Sequence, residues 1–163
     1  MSEAWVINAS PVILLAKAGL IDCVPSLVGA FVIPEPVVIE VLSAGRDDAA
    51  SLWLKQVGKQ FVRPAVVELP SVSEAAIGAG ERSVISWAVA NPGFVAVLDD
   101  REARAIARRL NIRVLGTVGV VLRLKATGQI SEVKAHLLKI KQAGGFISDG
   151  LFNEALRLAG EKP

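Results

Sequence analysis

The sequence contains one cysteine, Cys23, and one histidine, His136, among its 163 residues. A single cysteine excludes an internal disulfide and any zinc site built from several cysteines. A single histidine argues against a histidine-based metal site and against a Ser-His-Asp triad. These absences fit a protein that works in the reducing environment of the cytoplasm.

Long apolar runs are also missing. Lys17, Asp22 and Glu40 interrupt the apolar stretches, and none approaches the roughly 18 uninterrupted residues that a membrane span needs. The first residues, MSEAW, lack the basic segment and the cleavage site of a secretory signal. We therefore expect a cytoplasmic protein without a membrane partner.

The composition is typical of a well-packed globular core, since 52% of the residues are hydrophobic and 21% are charged. A chain of this length is expected to form one domain, residues 1–163, that buries about 70% of its unfolded surface. The net charge is +2 but uneven: residues 1–98 carry 6 Lys and Arg against 9 Asp and Glu, and residues 99–163 carry 12 against 7. The basic second part indicates a polyanionic partner, and solvated helix faces are the alternative explanation.

Short apolar runs alternate with helical patterns, which predicts a parallel sheet with right-handed helical crossovers. Apolar runs without polar alternation predict buried strands, because helices cover both faces of such a sheet. The predicted strands are 4–7, 31–33, 94–98 and 112–115, with 61–69 confined to an edge by Pro64. The predicted helices are 11–18, 36–42, 47–57, 81–90, 101–110, 118–126, 131–142 and 150–159, with a short helix near 23–28 and a loop at 73–80.

Hydroxyl and carboxylate residues stand where several of these helices begin. Such side chains predict helix caps, because their oxygens accept hydrogen bonds from the free N–H groups of the first turn. The predicted caps are Ser10, Thr117, Ser131 and the pair Ser148 and Asp149, and Asp47 and Asp48 are predicted to open a further helix.

Polar residues also follow the predicted strands, at the edge where open α/β sheets bind their ligands. Asn8 and Ser10 follow the first strand, Asp99 and Asp100 follow a middle strand, and Thr117 follows the last one. The adjacent carboxylates Asp99 and Asp100 are therefore either helix caps or part of a metal site.

Two helical glutamates near that edge, Glu40 and Glu81, add carboxylates to this set. Converging carboxylates repel one another unless a divalent cation lies between them, and oxygen-only ligands select Mg²⁺ or Mn²⁺ over zinc. Such a centre can activate water to hydrolyse a nucleic-acid backbone. The alternatives remain that Glu40 faces solvent and that Glu81 is a first-turn residue favoured by the helix dipole.

Five stretches of the chain resemble the PIN-domain family of small Mg²⁺-dependent ribonucleases, and they occur in that family's order. They are VINASPVILLAKAGL, VIPEPVVIEVL, GERSVISWA, VLDDREARAIARRLNIRVLGTVGVV and GFISDGLFNEALRLAGE. The resemblance implies a three-layer α/β/α sandwich with a short parallel sheet. It also implies a metal-dependent endoribonuclease of toxin–antitoxin type, with RNA as substrate, a small antitoxin protein as partner, and a homodimer paired through helices 11–18 and 36–42.

The resemblance also implies which residues of this chain correspond to the family's functional residues. The implied metal ligands are Asn8, Glu40, Glu81 and Asp100, with Asp99 as a second claimant, and the implied catalytic residues are Glu40, Glu81 and Asp100. The family's small hydroxyl residues near the metal fall on Ser10 and Thr117.

Asn8 departs from the family, because most PIN nucleases carry Asp at this position. An asparagine keeps a neutral oxygen ligand but removes one negative charge, so the metal affinity should fall. A catalytically weak or inactive PIN-like domain that binds RNA or a protein partner is therefore the alternative function.

Four arginines at 101, 104, 108 and 109 make the helix after Asp100 basic. Contact with RNA phosphates, assigned to Arg101, Arg104 and Arg108, is the functional interpretation, and a solvated helix face is the alternative. A nucleotide-binding module is a third hypothesis, but the nearest glycine-rich loop, 116–119, is short and lacks a following lysine.

Overall fold

The computed structural model of the protein describes residues 2–45 and 48–163. Its strands are β1 (Ala4–Ile7), β2 (Ala30–Pro34), β3 (Val62–Arg63), β4 (Phe94–Val97) and β5 (Val114–Leu115). Its helices are α1 (Ala9–Lys17), α2 (Glu35–Ala44), α3 (Ala49–Gln56), α4 (Pro70–Ser73), α5 (Ala79–Ala90), α6 (Arg101–Arg109), α7 (Thr117–Ala126), α8 (Lys134–Gln142) and α9 (Asp149–Leu158). Short 3₁₀ turns occupy Ile21–Cys23, Pro25–Leu27 and Gly58–Phe61.

The strands form a parallel five-stranded sheet in the order β3-β2-β1-β4-β5. Trp5 in the central strand lies opposite Phe31 on one side and Val95 on the other. The chain first adds β2 and β3 on one side of β1 and then adds β4 and β5 on the other side. The strand order therefore reverses between β1 and β4, and such a reversal opens a crevice at the carboxyl ends of the two strands.

Helices cover both faces of this sheet, and the central strands are accordingly apolar throughout. Trp5, Val6 and Ile7 of β1 are fully buried, as are Ala96 and Val97 of β4. α1 packs on α2, α3, α7 and α8, and α5 packs on α2, β1, β2, β4 and α6. The fold is a three-layer α/β/α sandwich with a short parallel sheet, as predicted.

The predicted segments 61–69 and 73–80 differ from the structure. The segment 61–69 forms only the two-residue strand β3, because Pro64 has no N–H to continue the ladder. The predicted loop 73–80 is wrong at both ends, since Ser73 belongs to α4 and α5 begins at Ala79. The early start of α5 places the N–H of Gly80 in the first turn, where it has no partner within its own helix.

The predicted cap at Ser148 and the predicted helix start at Asp48 are confirmed, whereas Asp149 is the first residue of α9 and not its cap. Asp48 accepts a hydrogen bond from the N–H of Ser51 at 2.9 Å, and Ser148 accepts one from the N–H of Leu151 at 3.1 Å. Asp47 lies outside the described residues. These caps could be predicted because each side chain serves the helix that it begins.

The predicted cap at Ser131 is wrong, because α8 begins at Lys134 and a distant carboxylate serves its first turn. Glu161 accepts hydrogen bonds from the N–H groups of Val133 at 2.7 Å and Lys134 at 3.1 Å, and from Lys125 Nζ at 3.2 Å. Burial raises the pKa of Glu161, but these donors outweigh burial and hold the pKa below its usual value. The end of the chain is thereby tied to α7 and α8.

Among the described residues, no single helix is both long and apolar enough to cross a bilayer. The segments Ala9–Lys17 and Ile21–Leu27 satisfy those two criteria only when they are taken together, and a bend of 117° separates them.

Candidate functional site

Asn8 and Asp99 lie at neighbouring strand ends where the strand order reverses. Asn8 directly follows β1, and Asp99 follows β4 after the buried Leu98. The backbone N–H of Asn8 donates to the carbonyl oxygen of Val97 at 3.1 Å, which joins the two strand ends. Two of the predicted site residues therefore meet at the crevice of the sheet.

The Asn8 side chain is buried in this crevice. The residue is 3% exposed, and its Oδ1 atom has no hydrogen-bond partner among the described residues. Asn8 holds the N-cap position of α1, but its side chain makes no capping hydrogen bond. Because an unpartnered buried oxygen costs about 1–3 kcal/mol, such an atom is suited to bind a cation or a donor. Asn8 thus offers a neutral oxygen ligand.

Glu40 reaches the same place from α2. Its Oε1 atom accepts a hydrogen bond from the N–H of Gly80 at 2.8 Å. A methyl group on residue 80 would lie 2.6 Å from Glu40 Oε2 and 2.8 Å from Asn8 Oδ1. Both oxygens therefore face Gly80, and they approach it so closely only because glycine has no side chain.

Glu81, in the first turn of α5, brings a second carboxylate to this turn. A methyl group on residue 78 would collide with Glu81 Oε2 and lie 3.7 Å from Glu40 Oε1. The free N–H groups and the dipole at the start of α5 favour negative charge here. Oxygens from three separate parts of the chain thus gather around residues 78–80.

The adjacent carboxylates Asp99 and Asp100 take different positions. Asp99 accepts hydrogen bonds from the N–H of Thr117 at 2.8 Å, from the Thr117 hydroxyl at 2.6 Å and from the Ser10 hydroxyl at 3.3 Å. Asp100 is exposed and caps α6, where it accepts a hydrogen bond from the N–H of Ala103 at 2.9 Å. Asp99 is therefore held at the crevice by three donors, whereas Asp100, which lines the same groove, also caps α6.

Ser10 and Thr117 are not the helix caps that the sequence predicts. α1 begins one residue before Ser10, and Gly116 rather than Thr117 holds the N-cap position of α7. Both hydroxyls instead donate to Asp99 Oδ2. The local capping signal was misleading, because Asp99 accepts the hydrogen bond of each hydroxyl. Asp99 lies 18 positions from Thr117 in the chain.

Three arginines of α6 flank the crevice. Arg101 and Arg108 are exposed, whereas Arg104 is half-buried and donates to the carbonyl oxygen of Leu98 at 2.9 Å. Burial lowers the pKa of Arg104, Arg108 lowers it further, and Asp99 opposes both effects. An arginine side chain nevertheless stays charged in proteins. Arg104 is thus a fixed cation close to Asp99.

A groove of about 950 Å³ opens at this crevice. Its apolar side is formed by residues of α1, α7 and α8 and by the segment 143–147. All the predicted site residues except Glu40 line it, and these are Asn8, Ser10, Glu81, Asp99, Asp100, Arg101, Arg104, Arg108 and Thr117. One groove therefore collects most of the candidate residues, which lie far apart in the sequence.

The side chains around the crevice fit a hard divalent cation in chemical type. In residues 2–45 and 48–163, His, Cys, Asp and Glu do not assemble in a group of three or more that could hold a metal ion. The carboxylates of Glu40 and Asp99 are bound by N–H and O–H donors. The side-chain atoms that could bind a cation here are nonetheless all oxygens, which suits Mg²⁺ or Mn²⁺ rather than zinc. The unpartnered Asn8 Oδ1 fits such an ion.

The sequence interpretation missed Gly78 and Gly80, since both fell in the segment predicted to be a loop. The available signal was the Gly-Ala-Gly spacing directly before Glu81. Only glycine leaves room at these two positions, because a side chain there would occupy the space of the oxygens of Asn8, Glu40 and Glu81.

The comparison with known proteins agrees with this fold. The chain matches a family model described as a PIN domain (DUF3368) over residues 4–161. No curated protein and no solved structure matches the chain. Since the match covers nearly the whole sequence, the chain belongs to the PIN-domain family, which has a nuclease-type fold and generally uses divalent metals.

Proposed function

We propose that the protein is a Mg²⁺- or Mn²⁺-dependent endoribonuclease that acts in the cytoplasm. The observation that carries the proposal is the buried, unpartnered Asn8 Oδ1, which faces Glu40 Oε2 at Gly80 beside the reversal of strand order. Asp99 supports it from the neighbouring strand end. The chemistry that a divalent cation supplies at such a site is activation of water and stabilisation of the phosphodiester charge.

The side chains around the crevice divide into ligands and residues that hold them. The proposed cation ligands are Asn8, Glu40, Glu81 and Asp99. Hydrogen bonds from Ser10 and Thr117 orient Asp99, and the N–H of Gly80 orients Glu40. Asp100 is left out of the ligand set, because its carboxylate caps α6.

Cationic groups in the same groove support a polyanionic substrate. Arg101, Arg104 and Arg108 all line the groove that contains Asp99. Arginines positioned in this way bind backbone phosphates without reading sequence. We propose that they hold the RNA backbone beside the cation ligands.

Three Asp→Asn variants test the ligand set. Asp99→Asn removes one charge from the crevice, whereas Asp100→Asn removes a charge but keeps a competent helix cap. Asp22→Asn removes a charge from an exposed turn and is the control. We expect Asp99→Asn to lower Mn²⁺ affinity in calorimetry and cleavage of single-stranded RNA by about 10-fold or more, with little change in the other two variants.

Two outcomes would contradict this ligand set. Cleavage that needs no added metal would exclude the proposed chemistry. Loss of Mn²⁺ binding in Asp100→Asn but not in Asp99→Asn would return the ligand role to Asp100. Denaturation midpoints of all three variants separate these outcomes from simple unfolding.

A PIN domain that binds RNA or a protein partner without cleaving RNA is the second candidate function. Its support is the neutral Asn8, together with crevice carboxylates that already have protein donors. Asn8→Asp separates the two functions. If Mn²⁺ binding and cleavage appear only in Asn8→Asp, the natural chain is the non-catalytic domain, whereas cleavage by the natural chain supports the enzyme.

We further propose that the protein is the toxin of a toxin–antitoxin pair and forms a homodimer, as the resemblance implies. The exposure of α2 supports pairing through this helix, because Ile39 is 66% exposed and Leu42 is 36% exposed. α1 is less suited, since it buries Val12 and Leu15 in the core. Growth arrest that a small co-encoded protein relieves would support the toxin role. Sedimentation of the natural chain and of Ile39→Asp tests the dimer.

A further inference from the structure

Phe146 is the exception among the aromatic residues of the chain. It is 92% exposed. The other seven aromatic side chains lie in the core or pack against it, and they are Trp5, Phe31, Trp53, Phe61, Trp87, Phe94 and Phe152. An aromatic ring that could be buried but faces water indicates a contact surface when it belongs to a larger site.

The backbone on both sides of Phe146 is anchored. The N–H of Gly145 donates to the carbonyl oxygen of Ile140 at 3.0 Å, and a methyl group on Gly145 would lie 2.8 Å from Ile140 Cγ2 and 3.1 Å from Leu14 Cδ1. On the other side, Ile147 is 5% exposed. The Phe146 ring is therefore presented outward between two residues that pack closely on the core.

Phe146 lines the same groove as the proposed cation site. That groove also contains Asp99, Arg104 and Arg108. Apolar residues also line this groove, and they include Leu14, Leu115, Val118, Leu122 and Ile147. One continuous groove thus joins an exposed aromatic ring, an apolar surface, a row of arginines and the crevice carboxylates.

We propose that Phe146 stacks on a base of an unpaired nucleotide whose backbone lies along the arginines of α6. This inference rests on the proposed ribonuclease function and adds a base-binding position to it. Cationic side chains for phosphates, combined with an aromatic platform for bases, are the features by which proteins hold single strands. A base inside a duplex has no free face, so the groove favours single-stranded over double-stranded RNA.

The charge of the groove decides between a nucleic acid and an apolar protein segment. Arg101, Arg104 and Arg108 line the groove together with its apolar residues, and a polyanion complements the three charges. An apolar helix or a second copy of this chain would cover Phe146 without using these charges.

Binding of a single-stranded oligoribonucleotide that carries 2-aminopurine, with EDTA present, tests stacking without cleavage. Fluorescence of this base falls when it stacks on an aromatic ring. The variants are Phe146→Leu, which keeps an apolar side chain, and Phe146→Trp, which keeps an aromatic one. Val67→Ala is the control, because Val67 is 94% exposed and does not line the groove. We expect Phe146→Leu to weaken binding by about 5-fold or more and to abolish the quenching, with both retained in Phe146→Trp and in Val67→Ala.

Equal affinity and quenching in the natural chain and in Phe146→Leu would overturn the inference while leaving the ribonuclease proposal intact. The inference is overturned in the same way if Phe146→Leu converts a dimer into a monomer without changing RNA affinity. Quenching that depends on Phe146 in a protein that cleaves no RNA with Mn²⁺ supports the base-binding position and overturns the ribonuclease function. Failure of the natural chain to bind the oligonucleotide overturns the base-binding position, and RNA cleavage with Mn²⁺ then tests the ribonuclease function separately.

Discussion

The change Gly80→Ala adds one methyl group where two oxygens of the crevice meet. The new carbon would lie 2.6 Å from Glu40 Oε2, 2.8 Å from Asn8 Oδ1 and 2.9 Å from Glu40 Cδ. Carbon and oxygen atoms at such distances repel, so one side chain must move. Glu40 is long and half-buried, whereas Asn8 is short and buried. We therefore expect Glu40 to move and to lose its hydrogen bond with the N–H of residue 80.

Two effects of opposite sign set the change in the free energy of unfolding. Alanine favours the helix over glycine by up to about 1 kcal/mol. Loss of a hydrogen bond to a charged acceptor costs about 1.5–3 kcal/mol. The net expectation is a destabilisation of roughly 1–2 kcal/mol. Because Glu40 leaves the proposed ligand set, the affinity for Mn²⁺ should also fall by about 10-fold or more.

Gly150→Ala is the matched control. Gly150 is also the second residue of its helix, α9, and a methyl group there would meet nothing within 4 Å. We expect it to raise stability by up to about 1 kcal/mol and to leave Mn²⁺ affinity unchanged. Urea denaturation and calorimetry measure both quantities. If Gly80→Ala stabilises the protein as Gly150→Ala does and binds Mn²⁺ like the natural chain, the reasoning about this crevice is refuted.

Two further predictions concern other carboxylates. Thr117→Val removes the hydroxyl that donates to Asp99 at 2.6 Å, so it should lower the free energy of unfolding by about 1–2 kcal/mol and also lower the Mn²⁺ affinity. Thr117→Ser keeps the hydroxyl and should keep the affinity. Unchanged Mn²⁺ affinity in Thr117→Val contradicts a positioning role. The pKa of Glu3 is lowered from 4.5 to about 2, chiefly by its hydrogen bond from Arg123. Because the folded-state pKa is the lower one, ionised Glu3 stabilises the fold above about pH 4.5, and this stability is lost as the pH falls toward 2. Solvent screening limits the stabilisation from ionised Glu3 to about 1 kcal/mol. The free energy of unfolding in urea should therefore differ by about 1 kcal/mol between the natural chain and Glu3→Gln at pH 7, and this difference should shrink below pH 4.5. A difference that stays constant with pH contradicts the lowered pKa of Glu3.

Much of the architecture could be predicted from local patterns. The apolar runs that became β1 and β4 predict buried strands, because a sheet covered on both faces needs no polar alternation. Asp48 and Ser148 serve their own helices, so their identity and position suffice to predict that helices begin there. The order of strands and helices along the chain then implies the parallel sheet.

The polar side chains of the candidate site could be predicted from the sequence, but not the contacts that each of them makes. Asp99 and Asp100 both follow a strand, and the sequence pattern does not say which one caps α6. The helix begins at Arg101, so Asp100 caps it, and Asp99 is left to meet Thr117. Ser10 was predicted to cap a helix, but its hydroxyl donates to Asp99 instead.

The sequence alone determined a parallel α/β sheet, the residues that follow its strands, and the oxygen-only chemistry available there, since these depend on residue type and on neighbours a few positions away. Only the tertiary structure decided that Glu40 and Asn8 meet at Gly80, and that Glu161 rather than Ser131 serves the start of α8. Those contacts join residues that are tens of positions apart in the chain. Local propensity carries no information about such distances, which follow from how the helices pack on the sheet.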